Sequence, residues 1–320
     1  MPSPRLTLAL DEGLIAAPVL LIGPPADLDL SDLPGPVAAW QDRQPDHDDL
    51  AARAVEMREG IDGPAATAVV FVPRERAAAR DRIARAARAC PDLLIDGQKT
   101  DGIDALLKEC RGKGEVGAVI SKAHGKIFAF RPDLALWPVT EPRPGPEGWL
   151  TAATSFSADG VDPASRLLAD SLPPLAGRAV DLGAGWGYLA RRVLEAGPDV
   201  TGCDLVEADR GSLDCARVNV TDPRAAFHWA DATRWQPEGR IDHVVTNPPF
   251  HRGRQGDPGL GRAFIAAAGA MLAPRGTLWL VANRHLPYEQ ALGAAFAQVE
   301  ERGDSPSFKL FRATRPRRAR

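Results

Sequence analysis

Six consecutive residues, Thr246-Asn247-Pro248-Pro249-Phe250-His251, put an amide, two prolines, an aromatic ring and an imidazole directly after the apolar run Ile241 to Val245. The run reads as a buried strand, so the six residues form the loop at its end. Proline has no N–H and a fixed φ, and the pair therefore presents rigid, unpaired carbonyls aimed away from the sheet. Asn247 Oδ1 and the Pro248 carbonyl can together accept both hydrogens of a planar amino group, while Phe250 stacks on the ring that carries it. A Pro-Pro turn that merely ends a strand is the competing reading, and so short a match does not separate the two.

A second stretch does. Val180-Asp181-Leu182-Gly183-Ala184-Gly185-Trp186-Gly187-Tyr188 runs from a short apolar strand through three glycines into a helix. It resembles the nucleotide-binding first turn of a Rossmann-like fold, with glycines spaced G-x-G-x-G. Tyr188 stands where the dinucleotide fingerprint wants its last small residue, which disfavours NAD. Asp204 follows the next apolar run, Val200 to Cys203, at 204 − 183 = 21 positions beyond the first glycine, and is expected to end that strand and grip ribose hydroxyls. Asp231 and Ala232 follow the third strand, where an adenine amino group can be read; a helix cap is the alternative for Asp231. Joined to Asn-Pro-Pro-Phe one β-α-β unit later, the set resembles a class I S-adenosylmethionine-dependent methyltransferase of the amino-group type.

The chain that must position these residues has 320 of them, enough for two domains, and its 44% hydrophobic and 25% charged residues are globular composition. Leu14 to Ile22 is broken by Pro18 and too short to span a bilayer, and no basic stretch leads into it, so the expected location is cytoplasmic. Cys90, Cys110, Cys203 and Cys215 form no C-x-x-C pair, and no metal site or disulfide framework is expected of them. A net charge of −3 argues against nucleic-acid binding by bulk electrostatics, yet the charge is unevenly spread. Asp42, Asp46, Asp48 and Asp49 cluster early, and Arg312, Arg315, Arg317, Arg318 and Arg320 crowd the end, as a phosphate-binding tail or a solvated terminus. Arg252, Arg254 and Arg262 follow the Asn-Pro-Pro-Phe loop, where a polynucleotide would pass.

Up to about residue 60 the apolar pieces are short and interrupted by Pro and Asp, and suggest no more than an edge of the first domain. The pattern then predicts a strand at Ala68 to Val72, a helix at Arg76 to Ala89, a strand at Leu93 to Ile95 and a helix at Ile103 to Cys110. Two further strands follow at Gly117 to Ile120 and Ile127 to Phe130. The arginines Arg74, Arg76, Arg80, Arg82, Arg85 and Arg88 on and before that first helix read as a solvated face, with RNA contact as the sharper alternative. Leu93 to Leu107 laid beside Leu278 to Leu292 gives strand, polar turn and helix start in both, as in a duplicated fold whose first copy lacks the glycines and Asn-Pro-Pro. A proline-rich segment from Pro138 to Gly148 reads as a linker, dividing a domain at 1–148 from one at 149–320. In the second, strands are expected at Arg178–Leu182, Val200–Asp204, Ala226–Ala230, Ile241–Thr246 and Thr277–Ala282, with a closing pair near Val299 and Lys309 to Ala313. Helices are expected at Pro163 to Leu172 and Gly259 to Met271.

Five pieces in order carry a closer resemblance. Phe156-Ser157-x-Asp159-Gly160-x-Asp162-x-x-Ser165, Asp181-x-Gly183-x-Gly185, Asn247-Pro248-Pro249-Phe250-His251-x-Gly253, Val281-Ala282-Asn283-x-x-Leu286-Pro287-Tyr288 and Phe308-Lys309-Leu310-Phe311-Arg312-Ala313 are similar to the ribosomal RNA guanine-N2 methyltransferases of the small subunit methyltransferase C type. The resemblance covers about Thr154 to Thr314. It implies an α/β chain of two tandem Rossmann-like methyltransferase domains, the first degenerate, the second catalytic with a mostly parallel seven-stranded sheet. It further implies S-adenosylmethionine as cofactor, held by Phe156, Asp181, Gly183, Gly185, Gly187, Asp204, Asp231, Ala232 and Asn247. Asn247, Pro248 and Phe250 would be catalytic, and Pro249, Phe250, His251 and Arg252 would meet the substrate, a guanine of ribosomal RNA or of the small subunit. His251 is read as a substrate contact rather than a base, and the enzyme as a monomer. Arg252 departs from the family, whose loop usually carries an acid there. A protein glutamine amide methyltransferase also suits the clamp, but such enzymes usually have tyrosine at the Phe250 position and a small helical leading domain. A non-catalytic RNA-binding assembly factor is the remaining alternative.

Overall fold

The computed structural model describes residues 3–145, 147–152, 155–249, 251–252, 255–256 and 258–317. The chain forms two compact units, Met1–Glu141 and Pro142–Arg320, divided within the proline-rich segment seven residues before the 148/149 junction expected from its composition. Unit 1 runs α1 (Pro4–Asp11), β1 (Val19–Ile22), β2 (Val37–Trp40), α2 (Gln44–Ala52), β3 (Glu56–Met57), β4 (Thr67–Phe71), α3 (Arg76–Ala89), β5 (Leu93–Gln98), α4 (Ile103–Arg111), β6 (Gly114–Lys122) and β7 (Gly125–Pro132). Unit 2 opens with two short strands, β8 (Arg143–Pro144) and β9 (Leu150–Thr151). It continues α5 (Pro163–Ser171), β10 (Ala176–Leu182), α6 (Tyr188–Ala196), β11 (Asp199–Glu207), α7 (Arg210–Asn219), β12 (Ala225–Trp229) and β13 (Ile241–Thr246). A small hairpin of β14 (His251–Arg252) and β15 (Gln255–Gly256) follows, then α8 (Pro258–Met271), β16 (Leu272–Asn283), α9 (Glu289–Ala295), β17 (Phe296–Arg302) and β18 (Phe308–Pro316).

The two sheets have one topology. Unit 1 is ordered β3-β2-β1-β4-β5-β7-β6 and unit 2 β12-β11-β10-β13-β16-β18-β17, position for position. In each the first five strands pair in parallel, and the last two pairings are antiparallel, so that only the sixth strand in the order is reversed. The repeat read from Leu93 and Leu278 is therefore real: β5 and β16 occupy the same place, each followed by a helix. Parallel strands with helices on both faces are apolar throughout rather than alternating. In β1, Leu20 and Ile22 pack into one core cluster and Val19 and Leu21 into another. In β10, Ala179 faces one cluster and Val180 and Leu182 the other.

The first 60 residues depart from expectation. They supply more than an edge: β3 is the edge strand, but β1 lies third in the sheet, between β2 and β4. With four residues flanked by prolines, β1 is too short for a period to show. Elsewhere the predicted strands are found, several of them longer, as β5 to Gln98 and β11 to Glu207. Helix α8 buries Phe264, Ile265, Ala268 and Met271 with Leu260 partly covered, one apolar stripe at helical spacing. All four cysteines are buried, and burial pushes the Cys110 thiol up to about 12 and Cys215 to about 11. Among the described residues no helix is long and apolar enough to cross a membrane.

The arginine-rich helix α3 is only in part the solvated face expected of it. Arg76 and Arg80 pair with Glu109, and Arg85 with Asp81. Arg82 is buried, 8% exposed against 5% for its partner Asp42. Its Nη2 donates to both Asp42 carboxylate oxygens at 2.7 and 3.0 Å and its Nη1 to the Phe71 carbonyl at 3.1 Å. Removing one member of such a pair leaves a buried charge uncompensated. Arg82→Ala should therefore destabilise unit 1 by about 3–5 kcal/mol, read as an earlier denaturant midpoint, whereas the exposed Arg76→Ala should cost about 1 kcal/mol or less.

Candidate active site

At the end of β10 the chain turns through Gly183, Gly185 and Gly187, with φ of +76°, +55° and +93°. The N–H groups of Gly183 and Ala184 both donate to the Val206 carbonyl of β11, at 2.9 and 3.1 Å. The three glycines do different things. A Cβ at Gly183 would stand 3.1 Å from the Phe264 ring, and one at Gly187 would stand 2.7 Å from Val220 Cγ2, so both serve close packing as well as the turn. At Gly185 a Cβ would meet no atom within 4 Å. That glycine fronts open space, where a ligand can approach the backbone. Trp186 Nε1 donates to the Phe156 carbonyl at 3.0 Å, so Phe156 reaches this loop through its backbone while its ring is 59% exposed.

Asp181, in the last turn of β10 before the loop, is fully buried. One carboxylate oxygen accepts the Ala190 N–H at 2.8 Å, and the other has no hydrogen-bond partner. Burial, with the nearby charge of Glu207, pushes its carboxyl up to about 7. The fold does not require this acid: counting from the matching turns at Gly23 and Gly183, unit 1 has Leu21 in its place, equally buried. A fully buried carboxylate oxygen without a hydrogen-bond partner is a departure that packing alone does not explain.

Asp204 does not end its strand. The strand β11 runs three residues further, and Asp204 lies within it, 7% exposed, holding Arg178 Nη2 at 2.8 Å and His228 Nε2 at 2.8 Å. Burial opposes its ionisation, but the His228 hydrogen bond and the Arg178 charge outweigh that and hold its carboxyl below the usual range. The acid at the end of the strand is Glu207. Its two carboxylate oxygens accept the N–H groups of Gly185 and Asp209, each at 2.8 Å. The signal was present in the sequence: Leu205 and Val206 continue the apolar run past Asp204. Asp231 closes the turn after β12, accepting the Thr233 N–H at 2.8 Å, and the adjacent Ala232 is buried.

The second loop lies against the first. A Cβ at Gly183 would stand 4.0 Å from Pro249 Cδ, and Thr246 Oγ1 donates to the Leu182 carbonyl at 2.7 Å, tying the end of β13 to the end of β10. Pro248 is buried and Pro249 exposed. Asn247 is half-buried, with Nδ2 donating to Asp162 Oδ2 and Ser165 Oγ, both at 2.9 Å. Asp162 and Ser165 belong to the motif read around Phe156 but had been given no role. Phe250 lies outside the described residues, as do the side chains of His251 and Arg252, whose backbone forms β14.

A mostly parallel sheet with a glycine turn after its first strand, an acid at the end of the second and Asn-Pro-Pro after the fourth defines a methyltransferase. The chain belongs to the methyltransferase small domain family, whose family model matches residues 149–312. Within that class it is similar to proteins named ribosomal RNA small subunit methyltransferase C. The one from Shewanella oneidensis is 28% identical over 242 residues, 68% of this chain and 67% of the relative. That from Shewanella loihica is 27% identical over 258 residues, 76% of this chain and 75% of the relative. Among solved structures, the 16S rRNA N2 methyltransferase (RsmC) of T. thermophilus, in complex with AdoMet and guanosine, superposes with a TM-score of 0.79 at 24% identity. It covers 98% of this chain and 92% of its own, and shares both Rossmann-like units.

The raised Asp181 carboxyl has a consequence for stability. From the ordinary carboxylate range up to about 7 the folded chain binds more protons at this site than the unfolded chain does, so stability falls as pH rises through that window. Asp181→Asn keeps an acceptor for the Ala190 N–H and cannot ionise. It should flatten this slope and raise unfolding free energy at about pH 8 by on the order of 2–4 kcal/mol, with little change at about pH 5. Urea denaturation at the two pH values checks it; equal slopes for variant and wild type would remove the buried charge from the account.

Proposed function

We propose that the chain transfers a methyl group from S-adenosylmethionine to the exocyclic amino group of a guanine in ribosomal RNA of the small subunit. One observation carries the reading: Asn247, its amide nitrogen turned to Asp162 and Ser165, sits on a loop packed against the glycine turn, so an amino-group acceptor and a donor cradle adjoin. The cofactor supplies a methyl carbon on a sulfonium, which becomes a neutral thioether as the guanine nitrogen takes the methyl and sheds a proton to water. Gly183, Gly185 and Gly187 would form its cradle, with Asp181 just before them in β10, and Glu207 would take the ribose role first given to Asp204. Phe156, Asp231 and Ala232 complete the donor site.

Guanine's exocyclic lone pair is delocalised into the ring and must be drawn out. Asn247 Oδ1 and the Pro248 carbonyl accept its two hydrogens, hold the nitrogen in line and stabilise the positive charge that develops on it. No strong base is needed, because the methylated nitrogen is acidic. Splaying the base from its stack costs a few kcal/mol. Stacking on Phe250 returns about 1–3 kcal/mol. Pro249, His251 and Arg252 would line the substrate side, with the exposed Arg262 of α8 along the phosphate path. Unit 1 has no donor cradle, since Pro24-Pro25 stand where Ala184-Gly185 stand in unit 2, and substrate recognition is its proposed role. Donor and acceptor loops both come from unit 2, which supports a monomeric enzyme, and a ribosomal RNA substrate supports a cytoplasmic one. The leading α/β unit separates it from glutamine amide methyltransferases as described above.

Incubation with labelled S-adenosylmethionine and unmodified small subunits or their RNA, followed by mapping of the methylated nucleotide, tests the activity. Asn247→Ala should leave donor affinity intact and slow single-turnover transfer by on the order of 100- to 1000-fold. Glu207→Ala should weaken donor binding roughly ten- to hundredfold, measured by calorimetry. Asp204→Ala should instead lower stability, leaving Arg178 and His228 without their acid. A wild-type transfer rate in the Asn247 variant would defeat the mechanism, and unchanged donor affinity in the Glu207 variant would remove that residue from the ribose site.

A further inference from the structure

The amide of Asn247 is held from behind, and the residues holding it come from another part of the chain. Its Nδ2 carries two hydrogens and has two acceptors at 2.9 Å, Asp162 Oδ2 and Ser165 Oγ. A carboxylate only accepts, so the amide can face Asp162 in one sense alone: turned over, Oδ1 would oppose a carboxylate oxygen. With both hydrogens taken, Oδ1 is the remaining polar atom of the side chain, and no described residue donates to it.

The two acceptors are themselves fixed. Asp162 is the N-cap of α5, and the oxygen that accepts from Asn247 also accepts the Ser165 N–H at 2.9 Å. Pro163 follows at the first helical position, where its fixed φ suits the helix. Val161, Ala164, Leu168 and Ala169 bury this segment in the core of unit 2. Unit 1 offers the contrast: by strand register the place of Asn247 is held there by Phe71.

We propose that Asp162 and Ser165 are positioning residues for methyl transfer, locking the Asn247 amide so that Oδ1 alone is presented to the acceptor amino group. The proposal rests on the acceptor role given to Asn247 above. Asp162 acts through Asn247 and needs its oxygen rather than its charge, because an asparagine oxygen at the same place can accept both hydrogen bonds.

The full-length chain tests this with Asp162→Ala, Asp162→Asn, Ser165→Ala, Asn247→Ala and the Asp162→Ala/Asn247→Ala pair. Donor affinity is measured by calorimetry, and single-turnover transfer on small-subunit RNA with saturating donor. Asp162→Ala should slow transfer roughly ten- to hundredfold with donor affinity unchanged. Asp162→Asn should restore most of the rate, and Asp162→Ala should have no further effect in the Asn247→Ala background. Ser165→Ala keeps the N-cap, whose Ser165 partner is a main-chain N–H, and should show a smaller loss of the same kind even if Asp162→Ala fails to fold. Asp162→Ala at the wild-type rate, Asp162→Asn as slow as the alanine variant, or additive losses in the double variant would each overturn the proposal. The Asn247 side-chain NH2 signals in NMR give a readout independent of activity: protected in wild type and averaged in Asp162→Ala. If wild type transfers no methyl to RNA the substrate reading falls, and these signals still decide the positioning role, with unprotected wild-type hydrogens refuting it.

Discussion

The main-chain bond from the first glycine to the end of the neighbouring strand governs both units. In unit 2 the Gly183 N–H meets the Val206 carbonyl at 2.9 Å, and in unit 1 the Gly23 N–H meets the Trp40 carbonyl at 2.8 Å. The bond requires a residue at positive φ, +76° and +65° respectively, which glycine supplies without strain. It also fixes what stands beside the turn, because the residue after the accepting carbonyl is carried alongside the loop. In unit 2 that residue is Glu207, which accepts from Gly185; in unit 1 it is Gln41, whose Nε2 donates to the Pro24 carbonyl at 2.8 Å. One backbone constraint thus supports two opposite hydrogen-bonding senses, and only the first leaves a carboxylate beside an open backbone.

How much of this the sequence disclosed follows from where its signals come from. Glycine spacing and Asn-Pro-Pro are local, and the structure brings the two loops together as their positions after parallel strands required. Strand ends are not local. An apolar run interrupted by Asp204 looks finished there, since a buried acid is costly, yet Arg178 pairs with that acid and His228 hydrogen-bonds it from neighbouring strands, and the strand runs on. The roles of Asp162 and Ser165 were hidden for the same reason: they lie 85 and 82 residues from Asn247, and no spacing rule connects them to it. The opening strands were missed because four buried residues between prolines carry no period.

The two units also separate what a fold needs from what a site needs. Leu21 and Asp181 occupy equivalent buried positions, and the sheet closes equally well around either. Phe71 and Asn247 make the same comparison at the other loop. At both places unit 1 has the residue that packing prefers, and unit 2 has a polar group whose oxygen lacks a hydrogen-bond partner within the described chain. Such departures from packing logic mark the places where a protein keeps a function at the expense of its own stability.

Arg82 shows how the matching turn of unit 1 is filled. It is the seventh residue of α3, as Phe264 is of α8, and its guanidinium lies where a Cβ on Gly23 would be only 2.1 Å from Nη1. The bulky cation fills the turn that an empty cradle would leave open, and Asp42 neutralises it. Replacing either partner alone strands the other as a buried charge, while the prolines at 24 and 25 and the leucine at 21 remain. An open cradle at this turn would require several coupled replacements at once, so the first unit is held to its present sequence by its own interior.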